Sequence, residues 1–319
     1  MIALRSVPDS PPPPRTATNT ALARTQRTPQ NFWRKTLQQL VHDRAGVIGL
    51  VIVSLLIAAA LFAPVLAPAD PYEIGSGLPF ASPTGEHLMG TDDLGRDVYS
   101  RVLYGARVSL RVALFSVTAA AIIAIPLGLA AGYFGGPIDA VISRLFDTVF
   151  AFPAILIGIG FVAVLGPDLQ NVIIAVAIIN IPTIGRLIRG TVLSQRNQDY
   201  VEAIRAAGAS TARITFSHIL PNAIPPLFVQ MALAAGEAVL LEAAFSFLGL
   251  GSRPPTPSWG TMLNEGRRFL DRAPWLGFFP GLAITLMIFG LNSLGDGIRN
   301  ALDPRHWRPM SNHHDAQGA

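Results

Sequence analysis

Stretches of apolar residues without charge, or nearly so, alternate along this chain with short polar segments, and the alternation predicts six helices that cross a bilayer. The apolar runs occupy residues 45–69, 112–138, 141–165, 169–185, 227–250 and 273–295. About 20 apolar residues span the roughly 30 Å hydrocarbon core, so each run is close to the length a crossing needs. The first run starts too far from Met1, and is too long, to be a cleaved signal peptide, so it is expected to stay in the mature chain. Pro126 predicts a kink in the second span. Gly166, Pro167 and Asp168 make so short a link that the third and fourth spans should be antiparallel neighbours.

The polar segments divide the rest. Residues 1–40 carry Pro11 to Pro14, many Ser, Thr and Asn, and dispersed arginines, which predicts a flexible basic tail rather than a nucleic-acid-binding arm. Residues 41–69 form the first transmembrane unit. Residues 70–111 form an outer loop whose end, 98–110, has the pattern of an amphipathic lead-in. Residues 112–300 hold a five-helix core interrupted by the polar loop 186–222, and 301–319 form a second tail. The architecture is all-α. Trp259 and Trp275 suit an interfacial aromatic belt.

Composition narrows the function. The chain has 319 residues, 50% hydrophobic and 14% charged, against about 25% charged in a soluble domain. It is therefore an integral membrane protein surrounded by lipid. Lys35 is the single lysine and lies in no glycine-rich turn. A P-loop needs Gly-Lys-Ser/Thr to reach the terminal phosphates of ATP, so any ATP-driven work must fall to another subunit. There is no cysteine, which excludes disulfides and thiolate chemistry. Six spans put both termini and the 186–222 loop on one side, with fifteen basic residues there and eight on the other. The positive-inside rule makes that side cytoplasmic.

Within the polar loop, residues 199–210 read Asp-Tyr-Val-Glu-Ala-Ile-Arg-Ala-Ala-Gly-Ala-Ser. A helix over 200–207 aligns Val201, Ile204 and Gly208 as a small apolar stripe, and sets Glu202 within reach of Arg205. Gly208 can end that helix at positive φ, and Ser210 can cap a second one. An apolar stripe of this kind, held outside the bilayer, is suited to being gripped by another protein. Glu202, Ala203 and Gly208 at this spacing, followed by Leu220-Pro221, resemble the EAA coupling loop of ABC importer membrane subunits. Ile204 stands where that family has its second alanine. The resemblance assigns ATPase coupling to Tyr200, Val201, Glu202, Ala203, Ile204, Arg205, Ala206, Gly208, Ala209 and Ser210.

A second stretch, from Gly90 to Ser109, resembles the signature of one permease branch, the second membrane subunit of dipeptide, oligopeptide and nickel importers. Gly90, Thr91, Asp92, Gly95, Arg96, Asp97, Arg101, Gly105 and Arg107 carry it. Locally, Asp92 or Thr91 can cap a turn and Arg96 can hold carboxylates. Arg101 and Arg107 would lie near the headgroups. His87 beside Asp92, Asp93 and Asp97 reads as a hydrogen-bonded fold element, and no metal site is assigned. Residues 242–251 and 292–305 resemble the same branch.

The resemblance implies a type I ABC importer permease of the bacterial inner membrane, forming half of a translocation pathway. Its partners would be a paralogous permease subunit, two ATPase subunits that hold ATP and Mg, and an extracytoplasmic substrate-binding protein. This chain would have no catalytic residue and no cofactor. Peptide is the substrate expected, with nickel or another small solute as the alternative.

Glu237 and Glu242 fall inside the fifth run, where lipid exposure of a carboxylate would cost several kcal/mol. Both are candidates for the translocation path, with helix-to-helix hydrogen bonding as the other reading. Arg144 and Asp147, at i and i+3, can pair near the membrane edge. An ion-driven transporter using Glu237 and Glu242 as proton sites would call for inverted repeats, which the sequence lacks. An intramembrane enzyme, such as a protease or acyltransferase, would need a base facing Ser246, and His218 lies at the coupling-loop end.

Overall fold

The computed structural model describes residues 39–302; the two predicted tails fall almost wholly outside them. Eleven α-helices, a π-helical turn and a short 3-10 turn account for most of the architecture of the described residues, which include no strand and one isolated bridge, Thr91 to Asp97.

Helix α1 (Arg44–Leu61) starts where the Asp43 carboxylate accepts the Gly46 amide at 2.7 Å, and a short α2 (Ala63–Leu66) continues it. Helix α3 (Val98–Phe134) has 37 residues, or about 55 Å at 1.5 Å per residue. The expected lead-in and second span are thus one continuous helix, with Pro126 inside it. Asp97 caps it by accepting the Ser100 amide at 2.8 Å. Helix α6 (Leu169–Gln195) likewise runs ten residues beyond the expected end of the fourth span. After the polar segment come α9 (Leu220–Phe247), α10 (Trp259–Gly266) and α11 (Trp275–Leu302).

The third apolar run is not a straight crossing. It is split into α4 (Gly136–Phe150) and α5 (Ala154–Leu165), bent by 87° at the break. Pro153, whose ring cannot sit inside a helix, stands at the break as the N-cap of α5. Among the described residues, five helical stretches are long and apolar enough to cross, and the bent pair makes a sixth if it counts as one span. The expected Arg144–Asp147 pair does not form, although both residues lie on α4. Asp147 instead accepts from Arg186 on α6 at 2.6 Å.

Helices α3 and α6 pack most extensively, followed by α1 with α11 and α9 with α11. The α1–α11 contact depends on small residues. A Cβ on Gly49 would meet the Gly290 carbonyl at 2.7 Å, so only glycine lets these backbones approach so closely. One apolar cluster, including Val102, Val239, Trp259 and Met287, fills the end of the bundle bearing the 70–97 loop. A second, including Ile188, Val192, Val201, Ile214 and Ile219, fills the other.

Trp259 overturns the aromatic-belt expectation, being fully buried and donating its indole N–H to the Val102 carbonyl at 2.9 Å. Its ring lies over Gly105, where a Cβ would stand 2.7 Å from Cδ1. Gly105→Val should therefore push the indole out of its slot. The expected cost is about 1–3 kcal/mol, the range for overpacking, read as a lower Tm of the purified protein. An unchanged Tm would show that the slot gives way freely.

Candidate functional site

The segment between α6 and α9 folds as expected in outline and differently in orientation. Helix α7 (Asp199–Ala206) ends in a Schellman turn. The Gly208 amide donates to the Arg205 carbonyl at 3.0 Å and the Ala209 amide to the Ile204 carbonyl at 3.3 Å. Gly208 sits at φ +82°, open to glycine at little cost. Ser210 then caps α8 (Thr211–Ile214) by accepting the Arg213 amide at 3.3 Å. A five-residue π-helical turn, Thr215–Ile219, leads into α9.

The apolar stripe is turned inward. Val201 is fully buried and Ile204 half-buried, both against the second cluster. The stripe seats the helix on its own bundle. What α7 presents outward is Glu202, Ala203, Arg205, Ala206 and Ala207. Among the described residues no ion pair joins Glu202 to Arg205, so both charges are free to meet a partner. Tyr200 is anchored at one edge. Its hydroxyl donates to Gln195 Oε1 at 2.9 Å and accepts from Asn222 Nδ2 at 3.4 Å. Burial pushes its phenol pKa up, and the Asn222 contact offsets part of that rise.

Three arginines assigned by sequence to the loop brace this end of the bundle. Arg189 grips Asp139 of α4 with two hydrogen bonds, at 2.5 and 2.7 Å. Arg186 holds Asp147, and Arg196 donates to the Gly132 and Tyr133 carbonyls at the end of α3. Those are carbonyls the helix itself leaves unpaired. Asp139, Ser143 and Asp147 at i, i+4 and i+8 mark one helix face in the sequence, but nothing there names the partner.

The carboxylates of α9 have different surroundings. Glu242 is fully buried, with one oxygen accepting from Ser109 of α3 at 3.0 Å and the other from Ser246 at 2.7 Å. The bond to Ser109 ties α9 to α3, the contact the helix-to-helix reading calls for. Glu237 is exposed on the protomer.

At the opposite end, the signature residues form a charged knot. Asp92 accepts the amides of Leu94 and Arg96 and the Arg96 Nε–H at 2.5 Å. Arg96 and Arg101 both donate to Glu265 Oε2 on α10, at 3.1 and 2.9 Å. Arg101 is therefore buried rather than at the headgroups, while Arg107 lies half-buried over the Tyr104 ring. His87 Nδ1 is 3.0 Å from Asp97. Gly90 and Gly95 take the positive φ of the turns, and Thr91 donates to the Leu78 carbonyl at 2.5 Å. Glu265 went unnoticed in the sequence because nothing around it marks it. Among the described residues, no group of three or more His, Cys, Asp or Glu is placed to hold a metal ion.

A solved structure resembles this bundle: the inward-facing MetNI methionine ABC transporter, with TM-score 0.52 and 19% identity, covering 63% of this chain and 96% of that one. The fold is that of a type I ABC importer permease. Residues 124–308 match the model of the binding-protein-dependent transport system inner membrane component, and residues 31–83 that of the N-terminal transmembrane domain of oligopeptide transport permease C. A dipeptide transport system permease protein of Alkalihalophilus pseudofirmus is 46% identical, over 93% of this chain and 95% of that protein. A di/tripeptide transport system permease protein of Pseudomonas aeruginosa is 43% identical, over 86% and 92%. The chain belongs to the binding-protein-dependent transport system inner membrane component family, the multi-pass permease subunits of ABC importers.

Proposed function

We propose that this permease imports di- and oligopeptides, forming half of a pathway with a paralogous permease subunit. Two ATPase subunits would bind ATP and Mg, and an extracytoplasmic binding protein would deliver the substrate. The relatives named as dipeptide and di/tripeptide permeases support the substrate. The single observation that carries the coupling role is the outward face of α7, with Glu202, Ala203 and Ala206 exposed on a helix whose apolar side is fixed to the bundle. A partner closing on that face moves α7, and the buried Val201 transmits the push to α6, α8 and α9. The bundle then passes between inward-open and outward-open arrangements as the partner's nucleotide state biases it.

Both termini and α7 are assigned to the cytoplasm. The natural chain has no cysteine, so single cysteines can report on sidedness. With the permease subunits free of their ATPase, Ala207→Cys should react with a membrane-impermeant maleimide in inside-out vesicles, and Ser82→Cys only in right-side-out ones; both residues are exposed. The reverse labelling pattern would overturn the assignment.

Glu237 is proposed to face the shared pathway, since leaving its carboxylate in lipid would cost several kcal/mol. Glu237→Gln should lower peptide uptake severalfold in proteoliposomes of the complete importer, without changing how much complex assembles. Unchanged uptake would assign the side chain to packing against the second permease.

A further inference from the structure

A cavity of about 520 Å³ opens at the end of the bundle away from α7, where the 166–168 turn, the end of α9 and α10 converge. Its size falls within the range of small-ligand sites, about 300–1,000 Å³. Ser252, Arg253, Asn264 and Glu265 bring polar groups to its wall.

Those groups have bonding capacity to spare. Ser252 is 7% exposed, yet its hydroxyl has no hydrogen-bond partner among the described residues. A buried hydroxyl left unpaired costs about 1–3 kcal/mol, so such a group signals a missing partner. Arg253 uses only Nε, which donates to the Pro167 carbonyl at 2.5 Å. Its two terminal nitrogens have no acceptor among the described residues. Glu265 spends Oε2 on Arg96 and Arg101, which leaves Oε1 unpaired. Asn264 donates its amide N–H to the Phe247 carbonyl and keeps its oxygen free.

The cavity thus offers cationic and hydroxyl donors together with carboxylate and amide acceptors. Asp92 and Glu265 already offset the charges of Arg96 and Arg101, so Arg253 remains the unmatched cation at the rim. Two residues of extended chain reach about 7 Å, short enough for both ends of a dipeptide to lie inside. We infer that this cavity is a subsite for the charged ends of a short peptide, with Arg253 and Ser252 holding its carboxylate and Glu265 and Asn264 its ammonium group. The inference rests on the peptide reading above and deepens it. It places a contact on the permease itself, at the mouth that receives substrate.

The test uses the assembled transporter in nanodiscs without its binding protein, titrated with radiolabelled Ala-Ala and with Ala-Ala amide. The wild type should bind Ala-Ala saturably and the amide about tenfold more weakly, the loss expected when one charge-assisted contact worth about 1.4 kcal/mol disappears. Arg253→Ala, at an exposed position, should bind the two ligands alike, at the weaker level. Ser252→Ala should weaken Ala-Ala and leave the amide nearly unchanged. If Arg253→Ala weakens both ligands equally, or neither, the subsite is overturned. Absence of saturable binding up to millimolar peptide, in a complete importer that still takes up Ala-Ala, overturns the subsite and leaves the peptide reading standing. A complete importer that takes up no peptide overturns the peptide reading, and this inference with it.

Discussion

Gly208→Pro should abolish peptide uptake while leaving the complex assembled and its ATPase subunits active. The residue sits at φ +82°, and proline is locked near −65°. Proline also removes the amide that donates to the Arg205 carbonyl. The combined cost is about 3 kcal/mol or more, which lowers the population of the docked helix roughly a hundredfold. Glu202→Lys approaches the same result by another route. It keeps α7 folded and reverses the charge on the face offered to the partner. Both variants should hydrolyse ATP without the stimulation that loaded binding protein gives. Substrate-stimulated hydrolysis and normal uptake in both would remove the coupling role from α7. Val201→Ala offers an internal comparison. It leaves the outward face intact but loosens the helix from the bundle, so partner binding should persist while uptake falls.

Arg101→Met should be among the most destabilising changes outside the apolar clusters. The guanidinium is 2% exposed and lies between Asp92 and Glu265. Removing one member of a buried ion pair costs about 3–5 kcal/mol, because the partner charge is left behind. Glu265 is 36% exposed, so water takes up part of that, and about 2–3 kcal/mol is expected. The matching fall in Tm is on the order of 5–10 °C. Arg101→Lys should recover only part of it, since an ammonium group cannot reach both carboxylates as the planar fork does. A Tm unchanged in Arg101→Met would mean that Arg96 alone holds the outer loop to α10.

Much of this protein is legible from the chain, for a physical reason. A bilayer imposes length and apolarity on every crossing, so six apolar runs announce themselves without knowledge of their packing. The end of α7 was equally legible. Gly208 and Ser210 act through bonds to backbone within a few residues, and local chemistry of that kind is written in local sequence. The break in the third run was less so. Pro153 is visible, but an 87° turn depends on what α4 and α5 each find to pack against. The inward turn of Val201 and Ile204 was not legible at all. An amphipathic helix has one apolar side, and the sequence cannot say whether its own chain or another one covers it.

The same limit governs the charges. Asp147 has Arg144 three residues away and Arg186 thirty-nine away, and the structure pairs it with the distant one. Glu237 and Glu242 lie five residues apart on one helix, and nothing in their neighbours foretells that one is exposed and the other fully buried. Sequence alone determined the number of apolar runs, the lack of a nucleotide-binding lysine, the caps and turns, and the family. Only the tertiary structure decided which carboxylate meets which arginine, where Trp259 goes, and which face of α7 stays open. Those outcomes depend on contacts between residues far apart in the chain, and no local pattern encodes a partner that folding alone brings near.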